Sequence, residues 1–519
     1  MRAYLLSLAS WCLIGCSSFP PNQPSQALPA QASALGAAIF SQARKAGVGQ
    51  SGFRLLSASD DAFSARAELI RAAEHSLDLQ YYIVHDSLST RALVYELLRA
   101  ADRGVRIRIL LDDTASDGRD PEIALLSAHP QVHIRVFNPL HLGRSNPLTR
   151  ALGRLFNLSR QHRRMHNKLW LADSSVAIVG GRNLGDEYFD AKRTLNFTDI
   201  DLLAAGPVAE QLAHSFDQYW NSALSQPIER FLWLTPDLDD LERRRDALHR
   251  DLQRTRRQRP ELYEHLMSYE HAPRLHDWLS NELIWAHGQA LWDSPHKVLD
   301  PGVPDAHLLL ATQLAPELAA VSEELLLISA YFVPADEGLA YLTERADAGV
   351  DISLLTNSLE ATDVPAVHGG YAPYREALLE HGVRLFELRR QPDEESRHNL
   401  GLSGSSESSL HSKAAIIDRQ KVFIGSLNFD PRSVLWNTEV GVLVDSRELA
   451  GQVRELALEG MAPTISYEVL LDNTAGCSRL VWRAVDDNGK AYRLTREPGD
   501  PWRRLNAWLV RFIGLERML

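Results

Sequence analysis

The feature that most constrains this chain of 519 residues is a motif that occurs twice, 245 positions apart. Both copies read His-x-Lys-x4-Asp-x6-Gly-(Gly/Ser)-x-Asn without a gap. The fixed positions are His166, Lys168, Asp173, Gly180, Gly181 and Asn183 in the first copy, and His411, Lys413, Asp418, Gly425, Ser426 and Asn428 in the second. An internal duplication of this kind predicts two similar α/β lobes related by a pseudo-two-fold axis, with one site where they meet.

The residue types of the motif suit chemistry at a phosphodiester. The residues after each lysine are apolar and predict buried strands, so each histidine projects from the same face as the lysine two positions later. One imidazole can attack phosphorus while the other protonates the leaving oxygen. The two lysines can neutralise the non-bridging oxygens. Further donors to the phosphate are expected from Asn183, Ser426 and Asn428.

The motif and its flanks resemble a known family. The two copies resemble the double HKD motif of the phospholipase D superfamily, and residues 164–168, 180–189 and 428–433 are similar to its cardiolipin synthase branch, closest to the C type. The resemblance covers roughly residues 55–519. It implies two phospholipase D-like lobes, each a mixed β-sheet flanked by helices, with the active site at their interface.

The resemblance also implies an activity. We expect a phosphatidyl transferase that makes cardiolipin from phosphatidylglycerol and either phosphatidylethanolamine or phosphatidylglycerol, through a phosphohistidine. A phospholipase D hydrolase that releases phosphatidic acid is the alternative, because only the exclusion of water separates the two reactions. An exported nuclease or phosphodiesterase fits less well.

Roles for individual residues follow from the same resemblance. The N-terminal motif usually supplies the nucleophile in this superfamily, so His166 is assigned that role and His411 that of general acid and base. The sequence alone does not break the symmetry between them. A carboxylate downstream of each motif is expected to orient a histidine ring. Glu439 fits this role in the second repeat and Asp199 in the first, with Asp201 as a competing choice.

The motif aspartates, Asp173 and Asp418, complete the predicted catalytic set. In the superfamily they tend to brace the motif rather than touch phosphate. We expect no cofactor and no metal, because the lysines supply the positive charge and no His/Cys/Asp cluster has the spacing of metal ligands.

Charge and cysteine content narrow the partners. The formal net charge of −12 argues against nucleic acid, whose binding needs a dominant positive field. The three cysteines, Cys12, Cys16 and Cys477, form no disulfide framework. The resemblance implies phospholipid substrates and a bacterial membrane as partners, and the oligomeric state is left open.

The N-terminus has the layout of an export signal. Arg2 precedes an apolar run from Ala3 to Ile14, which is short for a membrane span. Residues 13–16 resemble a bacterial lipobox, which implies removal of residues 1–15 and acylation of Cys16. The protein would then face the periplasm from the outer membrane, which Ser17 favours, or from the inner membrane. A plain signal peptide or an uncleaved anchor is the alternative.

Composition and periodicity divide the rest of the chain. Both repeats show a β-α-β order, which predicts sheets covered by helices. The polar, proline-containing start predicts a flexible tether. The predicted segments are a tether over 16–50, the first repeat over 51–225, a helical connection over 226–304, the second repeat over 305–446, and a C-terminal hairpin with an amphipathic helix over 447–519.

Three segments allow more than one interpretation. The arginines at 243–245 and 254–259 predict either a solvated helix face or contact with anionic lipid head groups. Residues 395–409, rich in serine, predict a loop at the mouth of the site. Near the C-terminus, Trp508, Phe512 and Leu515 share one helical face, which would lie in a membrane interface or close the core.

Overall fold

The computed structural model describes residues 24–115, 119–139, 162–192, 195–232, 234–300, 302–390, 407–473, 478–486 and 488–513. The predicted leader 1–15, the predicted acylation site Cys16, the other two cysteines, Leu515 and most of the predicted loop 395–409 lie outside these residues. No helix in the described part of the chain is both long and apolar enough to span a bilayer.

The first lobe contains nine strands and five helices among its described residues. In chain order they are α1 (Ala34–Ala46), β1 (Gln50–Leu56), α2 (Ser59–Ala72), β2 (Ser76–Tyr81), α3 (Leu88–Asp102), β3 (Arg106–Asp112), α4 (Asp120–Ala124), β4 (Val132–Phe137), β5 (Leu169–Ala172), β6 (Val176–Gly180), β7 (Leu195–Thr198), β8 (Asp201–Ala205), α5 (Pro207–Trp220) and β9 (Ser225–Pro227). Strands β2, β3 and β4 are parallel, and β5, β6, β8 and β1 continue the sheet in antiparallel order.

A helical segment and the second lobe follow. They comprise α6 (Leu238–Gln258), α7 (Pro260–Leu266), α8 (Leu275–Asn281), β10 (Ile284–Trp292), α9 (Leu310–Ala319), β11 (Glu324–Ser329), α10 (Ala335–Asp347), β12 (Asp351–Asn357), α11 (Pro365–Tyr371), α12 (Arg375–Glu380), β13 (Arg384–Leu388), β14 (Glu407–Leu410), β15 (Lys413–Ile417), β16 (Lys421–Gly425), β17 (Val440–Asp445), α13 (Arg447–Gly460), β18 (Ser466–Asp472), β19 (Arg479–Val485), β20 (Ala491–Leu494) and α14 (Pro501–Ile513).

The second sheet repeats the first and joins it edge to edge. Strands β11, β12 and β13 are parallel, and β15, β16, β17 and β10 continue the sheet in antiparallel order. Strand β1 pairs with β10, so the two sheets form one sheet of 18 strands. The predicted pair of α/β lobes is confirmed. The two lobes share one fused sheet, and the strands of each half follow the same order outwards from the central pair of β1 and β10.

The helices α5 and α13 pack at the centre of this sheet. Phe216 and Trp220 of α5 and Leu449 and Val453 of α13 belong to one apolar cluster that also takes in the motif strands of both lobes. This shared core holds β5 and β15 in fixed positions relative to each other. Burial of its apolar surface at about 25 cal/mol per Å² stabilises the lobe interface.

Two predicted segment boundaries are wrong. Residues 34–46 of the predicted tether form α1, whose Ile39, Phe40 and Ala43 are buried against the first lobe. Their helical spacing outweighs the tether-like composition around them. The predicted helical connection over 226–304 also contains a strand, β10, which is the counterpart of β1 and belongs to the second sheet.

The contacts of α6, the C-terminal hairpin and α14 decide some of the alternatives that the sequence leaves open. Within α6, Arg244 pairs with Glu122 at 2.7 Å and Arg245 pairs with Asp102 at 3.0 Å, which favours a helix face serving the first lobe. The predicted hairpin is confirmed as the antiparallel pair β19 and β20. The C-terminal helix α14 packs on α11 of the second lobe.

Candidate active site

Each motif histidine is attached through its backbone to the opposite lobe. The amide of His166 donates to the carbonyl of Thr438 at 2.9 Å, and the amide of His411 donates to the carbonyl of Thr198 at 2.8 Å. Near His411 the attachment is a parallel ladder of β7 with β14. Near His166 it is a single parallel bridge between Met165 and Thr438. The two motifs therefore enter one region from opposite sides.

The histidine rings are held by carboxylates that also come from the opposite lobe. His411 Nδ1 lies 2.7 Å from Asp199 Oδ2, and His166 Nδ1 lies 3.0 Å from both carboxylate oxygens of Glu439. Both carboxylates are buried. With Nδ1–H donating to the carboxylate, each ring presents its Nε2 to the space between the motifs.

The competing choice for the first repeat, Asp201, has another partner. Its carboxylate lies 2.9 Å from Arg66 Nη2 and 3.4 Å from Arg182 Nη1, all inside the first lobe. Asp199 is therefore the residue that contacts a motif histidine. The sequence correctly identified both carboxylates, but it did not reveal that each serves the histidine of the other repeat.

The motif lysines lie beside the histidines and are buried. Lys168 Nζ donates to the carbonyl of His166 at 2.6 Å, and Lys413 Nζ donates to the carbonyl of His411. Burial holds the pKa of Lys168 well below its usual value, and it lowers the pKa of Lys413. The nearby carboxylates Glu439 and Asp199 oppose this lowering, and a bound phosphodiester would add further negative charge beside the two ammonium groups.

The charged groups of each motif lower the pKa of the histidine in the other motif. Burial, followed by the charges of Lys168 and Lys413, holds the pKa of His166 well below its usual value, and the charge of His411 acts in the same direction. Burial and the charge of Lys413 also lower the pKa of His411, although Asp199 opposes them. The two buried histidine–lysine pairs are therefore close enough for their charges to interact.

The two carboxylates differ in their own titration. Burial raises the pKa of Glu439 to about 7, against the pull of Lys168. Burial acts in the same direction on Asp199, but the attraction of His411 and Lys413 outweighs it, and the pKa of Asp199 is lowered. Near neutral pH Asp199 is therefore a carboxylate, whereas Glu439 is close to half protonated.

The motif aspartates lie away from the reacting groups, so their inclusion in the catalytic set is corrected. Asp173 follows β5 and accepts from the amides of Glu74, His75 and Ser76 at the start of β2. Asp418 follows β15 and accepts from the amides of residues 322–324 at the start of β11. Each aspartate lies at the opposite end of its strand from the motif lysine, roughly 16 Å along an extended chain.

The predicted phosphate donors have unequal surroundings. Asn183 accepts from the amide of Ile83 at 3.2 Å and donates to the hydroxyl of Tyr188 at 2.9 Å. Ser426 donates to Glu439 and so supports that carboxylate rather than a phosphate. Asn428 is buried, and its Oδ1 has no hydrogen-bond partner among the described residues. An amide oxygen accepts hydrogen bonds, so this atom suits a ligand hydroxyl rather than a phosphate oxygen.

The sequence analysis missed aromatic residues that surround the rings. The Tyr82 ring lies 5.0 Å from the His166 ring, and Lys168 Nζ lies 5.4 Å from the centre of Tyr82. The rings of Tyr188 and Phe197 lie 5.4 and 5.1 Å from that of His411. These residues exclude water from the dyads. Tyr82 directly follows β2, whereas Tyr331 is the second residue after β11, so the two tyrosines are offset by one residue between the repeats.

The site is rich in nitrogen donors and poor in metal ligands. No group of three or more His, Cys, Asp or Glu side chains in the described ranges is arranged to hold a metal ion. The two dyads, the two lysines and the aromatic walls together form a pocket suited to an anionic tetrahedral or trigonal-bipyramidal phosphorus centre.

Comparisons with known proteins agree with this geometry. The family described as "Cardiolipin synthase, PLD-like domain" matches residues 67–220 and 314–459. Cardiolipin synthase C of Escherichia coli K12 is 39% identical over 477 residues, which cover 91% of this chain and 97% of that protein. Cardiolipin synthase A of Cronobacter sakazakii is 25% identical and covers 87% of this chain and 78% of that protein.

A solved structure shares the fold. The crystal structure of phosphatidylserine synthase from Haemophilus influenzae Rd KW20 superposes with a TM-score of 0.57 over 92% of this chain and 99% of that one, at 12% sequence identity. The two-lobed arrangement therefore occurs in a protein of very different sequence.

Proposed function

This chain belongs to the cardiolipin synthase family of phospholipase D-like enzymes, and from that premise we propose that it transfers a phosphatidyl group to a hydroxyl of phosphatidylglycerol to form cardiolipin. The observation that carries the proposal is the pair of buried dyads, His166 with Glu439 and His411 with Asp199, each joined across the interface between the lobes. The donor is phosphatidylethanolamine or a second phosphatidylglycerol.

His166 is proposed as the nucleophile. Its pKa is held well below the usual value by burial and the neighbouring lysines, so its Nε2 carries a free lone pair at neutral pH. Attack by Nε2 forms a nitrogen–phosphorus bond and breaks the bond from phosphorus to the head-group oxygen. Lys168 and Lys413 offset the charge on the non-bridging oxygens.

His411 is proposed as the general acid and base. The charged carboxylate of Asp199 opposes the lowering of the pKa of His411 and so favours its imidazolium form, whose Nε2 proton goes to the leaving head-group oxygen. The neutral ring then removes the proton of the incoming phosphatidylglycerol hydroxyl. That oxygen attacks phosphorus, the nitrogen–phosphorus bond breaks, and His166 is regenerated.

The test is product identification by mass spectrometry. Purified protein is incubated with vesicles of phosphatidylethanolamine and phosphatidylglycerol, with ¹³C in the glycerol head group of the latter. Cardiolipin with labelled central glycerol, formed together with free ethanolamine or glycerol, supports transfer. Phosphatidic acid and free head group without cardiolipin would reject the transferase and leave the hydrolase. His166→Ala is the inactive control.

We further propose that the protein is anchored in the bacterial envelope through an acylated Cys16 and faces the periplasm. The lipobox-like residues 13–16 and the preceding apolar run support this proposal. Mass spectrometry of the N-terminal peptide from isolated membranes tests it. An acylated N-terminus at residue 16 is expected, and an intact residue 1 would contradict it.

A further inference from the structure

The C-terminal helix α14 presents an exposed apolar face. Among the described side chains of this helix, those of residues 501–509, four are exposed although they are large and apolar: Trp502 (69%), Leu505 (43%), Trp508 (54%) and Leu509 (39%). At 100° per residue they fall within an arc of about 120°, opposite the buried Ala507. We call these four residues the Trp502 face. Such a continuous group differs from the single exposed apolar side chains that are normal on protein surfaces.

The opposite side of the helix is fixed to the second lobe. A Cβ atom added to Gly369 of α11 would lie 2.4 Å from the carbonyl oxygen of Ala507, so the two backbones are in close contact. Arg503 donates to the carbonyls of Leu359 and Thr362 at 3.2 and 2.5 Å. The helix is therefore held rigidly, and the exposure of the Trp502 face is not the result of an undocked terminus.

Residues 357–371, against which α14 packs, also contact residues beside the active site. Asn357, at the end of β12, donates to the carbonyl of Leu410, the residue before His411. Asp363 accepts from the hydroxyl of Tyr331, which follows β11. The Trp502 face and the catalytic centre are thus connected through residues 357–371 without an intervening flexible linker.

The local charge favours an anionic partner. Residues 479–513 contain eight Lys or Arg and four Asp or Glu, within a chain whose net charge is −12. Tryptophan and leucine between basic residues fit the boundary between lipid head groups and acyl chains, where indole rings are favoured. A helix of 13 residues is about 20 Å long, which suits a position in the plane of that boundary.

We propose that the Trp502 face inserts into the head-group region of a bilayer that contains anionic lipid, and that this contact sets the position of the active site relative to the membrane. The contact is independent of any acyl group at Cys16, which lies at the other end of the chain. The second part of the proposal, the positioning of the active site at the membrane, rests on the proposed function. The first experiment below measures contact alone, so it can succeed or fail whether or not transfer occurs.

The direct test is a nitroxide label on the full chain. The three cysteines are replaced by serine, and Leu505→Cys carries the label; Leu234→Cys, at another exposed apolar residue (87%), is the matched control. With vesicles of phosphatidylethanolamine and phosphatidylglycerol, we expect the label at 505 to lose several-fold in collisions with a water-soluble nickel chelate and to gain collisions with oxygen. The label at 234 should not change.

Two results would overturn the proposal. The first is a label at 505 that stays as accessible as the one at 234. The second is protection that grows with protein concentration in the absence of vesicles, because a second copy of the chain would then cover the face. Vesicles of phosphatidylcholine alone test the charge argument, and binding as strong as to the anionic vesicles would contradict it.

A double variant tests the effect on the active site. Trp502→Ser with Trp508→Ser should weaken binding to the anionic vesicles by roughly tenfold or more, because two interfacial indoles are lost. Its transfer activity should fall on vesicles but stay unchanged on short-chain lipids that are dispersed as single molecules. Leu234→Ser should change neither. An equal loss on both kinds of substrate would overturn the role in positioning.

Discussion

The two halves of the catalytic centre contain the same residue types, yet they are built differently. The half around His411 has a short carboxylate, Asp199, and is attached to the other lobe by the ladder of β7 with β14. The half around His166 has a longer carboxylate, Glu439, and a single bridge at Met165. The halves therefore differ in rigidity and in titration, which gives a physical basis for different roles.

The size of the residue beside each carboxylate is matched to the length of the side chain that bears the carboxylate. A Cβ atom at Gly181 would lie 2.2 Å from Asp199 Oδ1, so the first half has no room for a side chain. At the matching position of the second half, Ser426 donates to Glu439. The fixed positions of the two motif copies differ only here, with glycine in one copy and serine in the other. This difference is coupled to whether the neighbouring carboxylate is an aspartate or a glutamate.

The strongest way to test the comparison is to remove each ring. We expect His166→Ala and His411→Ala both to lose lipid transfer by roughly 10⁴-fold or more. With a phosphodiester that has a nitrophenol leaving group, His411→Ala should still form the phosphohistidine, because this leaving group needs no proton. A nitrophenol burst and a trapped phosphopeptide measure this step. A burst in His166→Ala instead would reverse the assigned roles.

Replacing the carboxylates should give the next largest effect. Asp199→Asn is expected to lower kcat by roughly 10²- to 10⁴-fold, because the charged partner of the His411 imidazolium is lost. Glu439→Gln should cost less, since Glu439, with a pKa of about 7, is already part protonated at neutral pH.

The pH profile sharpens the same difference. Because the pKa of Glu439 is raised, its carboxylate form is lost as the pH falls through about 7, and wild-type kcat/KM should fall with it. Glu439→Gln should remove this acid limb, whereas Asp199→Asn should keep it. An unchanged acid limb in Glu439→Gln would show that another group titrates there.

Exchanging the small residues should have a moderate effect. Gly181→Ala should displace Asp199 and lower kcat by roughly 10- to 100-fold, because a small shift of a catalytic group is costly. Ser426→Ala should cost less than tenfold, since it removes one hydrogen bond to Glu439. Steady-state kinetics on both variants give the comparison, and equal losses would contradict the coupling described above.

The motif aspartates should give the smallest change in turnover. Asp173→Ala is expected to lower the free energy of unfolding by about 2–4 kcal/mol, because three amides at the start of β2, one of them buried and two part-buried, lose their acceptor. Asp418→Ala should cost less, since its hydrogen bonds are partly exposed. Urea unfolding measures both, and kcat of the folded variants should stay within about threefold of the wild type.

Much of the fold and the site could be predicted from the repeated motif. Its spacing identified both histidines and lysines, and the residues downstream identified Asp199 and Glu439. The exchange of carboxylates between the lobes could not be predicted, because it depends on how two sheets pack rather than on distance along the chain. The same applies to β10, whose role as the partner of β1 exists only once both sheets have formed.

Other errors came from composition. Residues 34–46 lie in a segment whose prolines and small residues favour a tether, but Ile39 and Phe40 provide enough apolar surface to dock a helix. For the motif aspartates the expected bracing role agrees with the contacts, and the amides at the starts of β2 and β11 show which backbone groups they hold.

The exchanged dyads have a consequence for how the protein is made. Glu439 is 273 positions from His166, and Asp199 is 212 positions from His411. Neither ring has its partner until the ribosome has produced nearly the whole polypeptide and both lobes have folded together. A nascent chain shorter than 439 residues therefore lacks at least one complete dyad, so reactivity towards lipid can arise only late in synthesis.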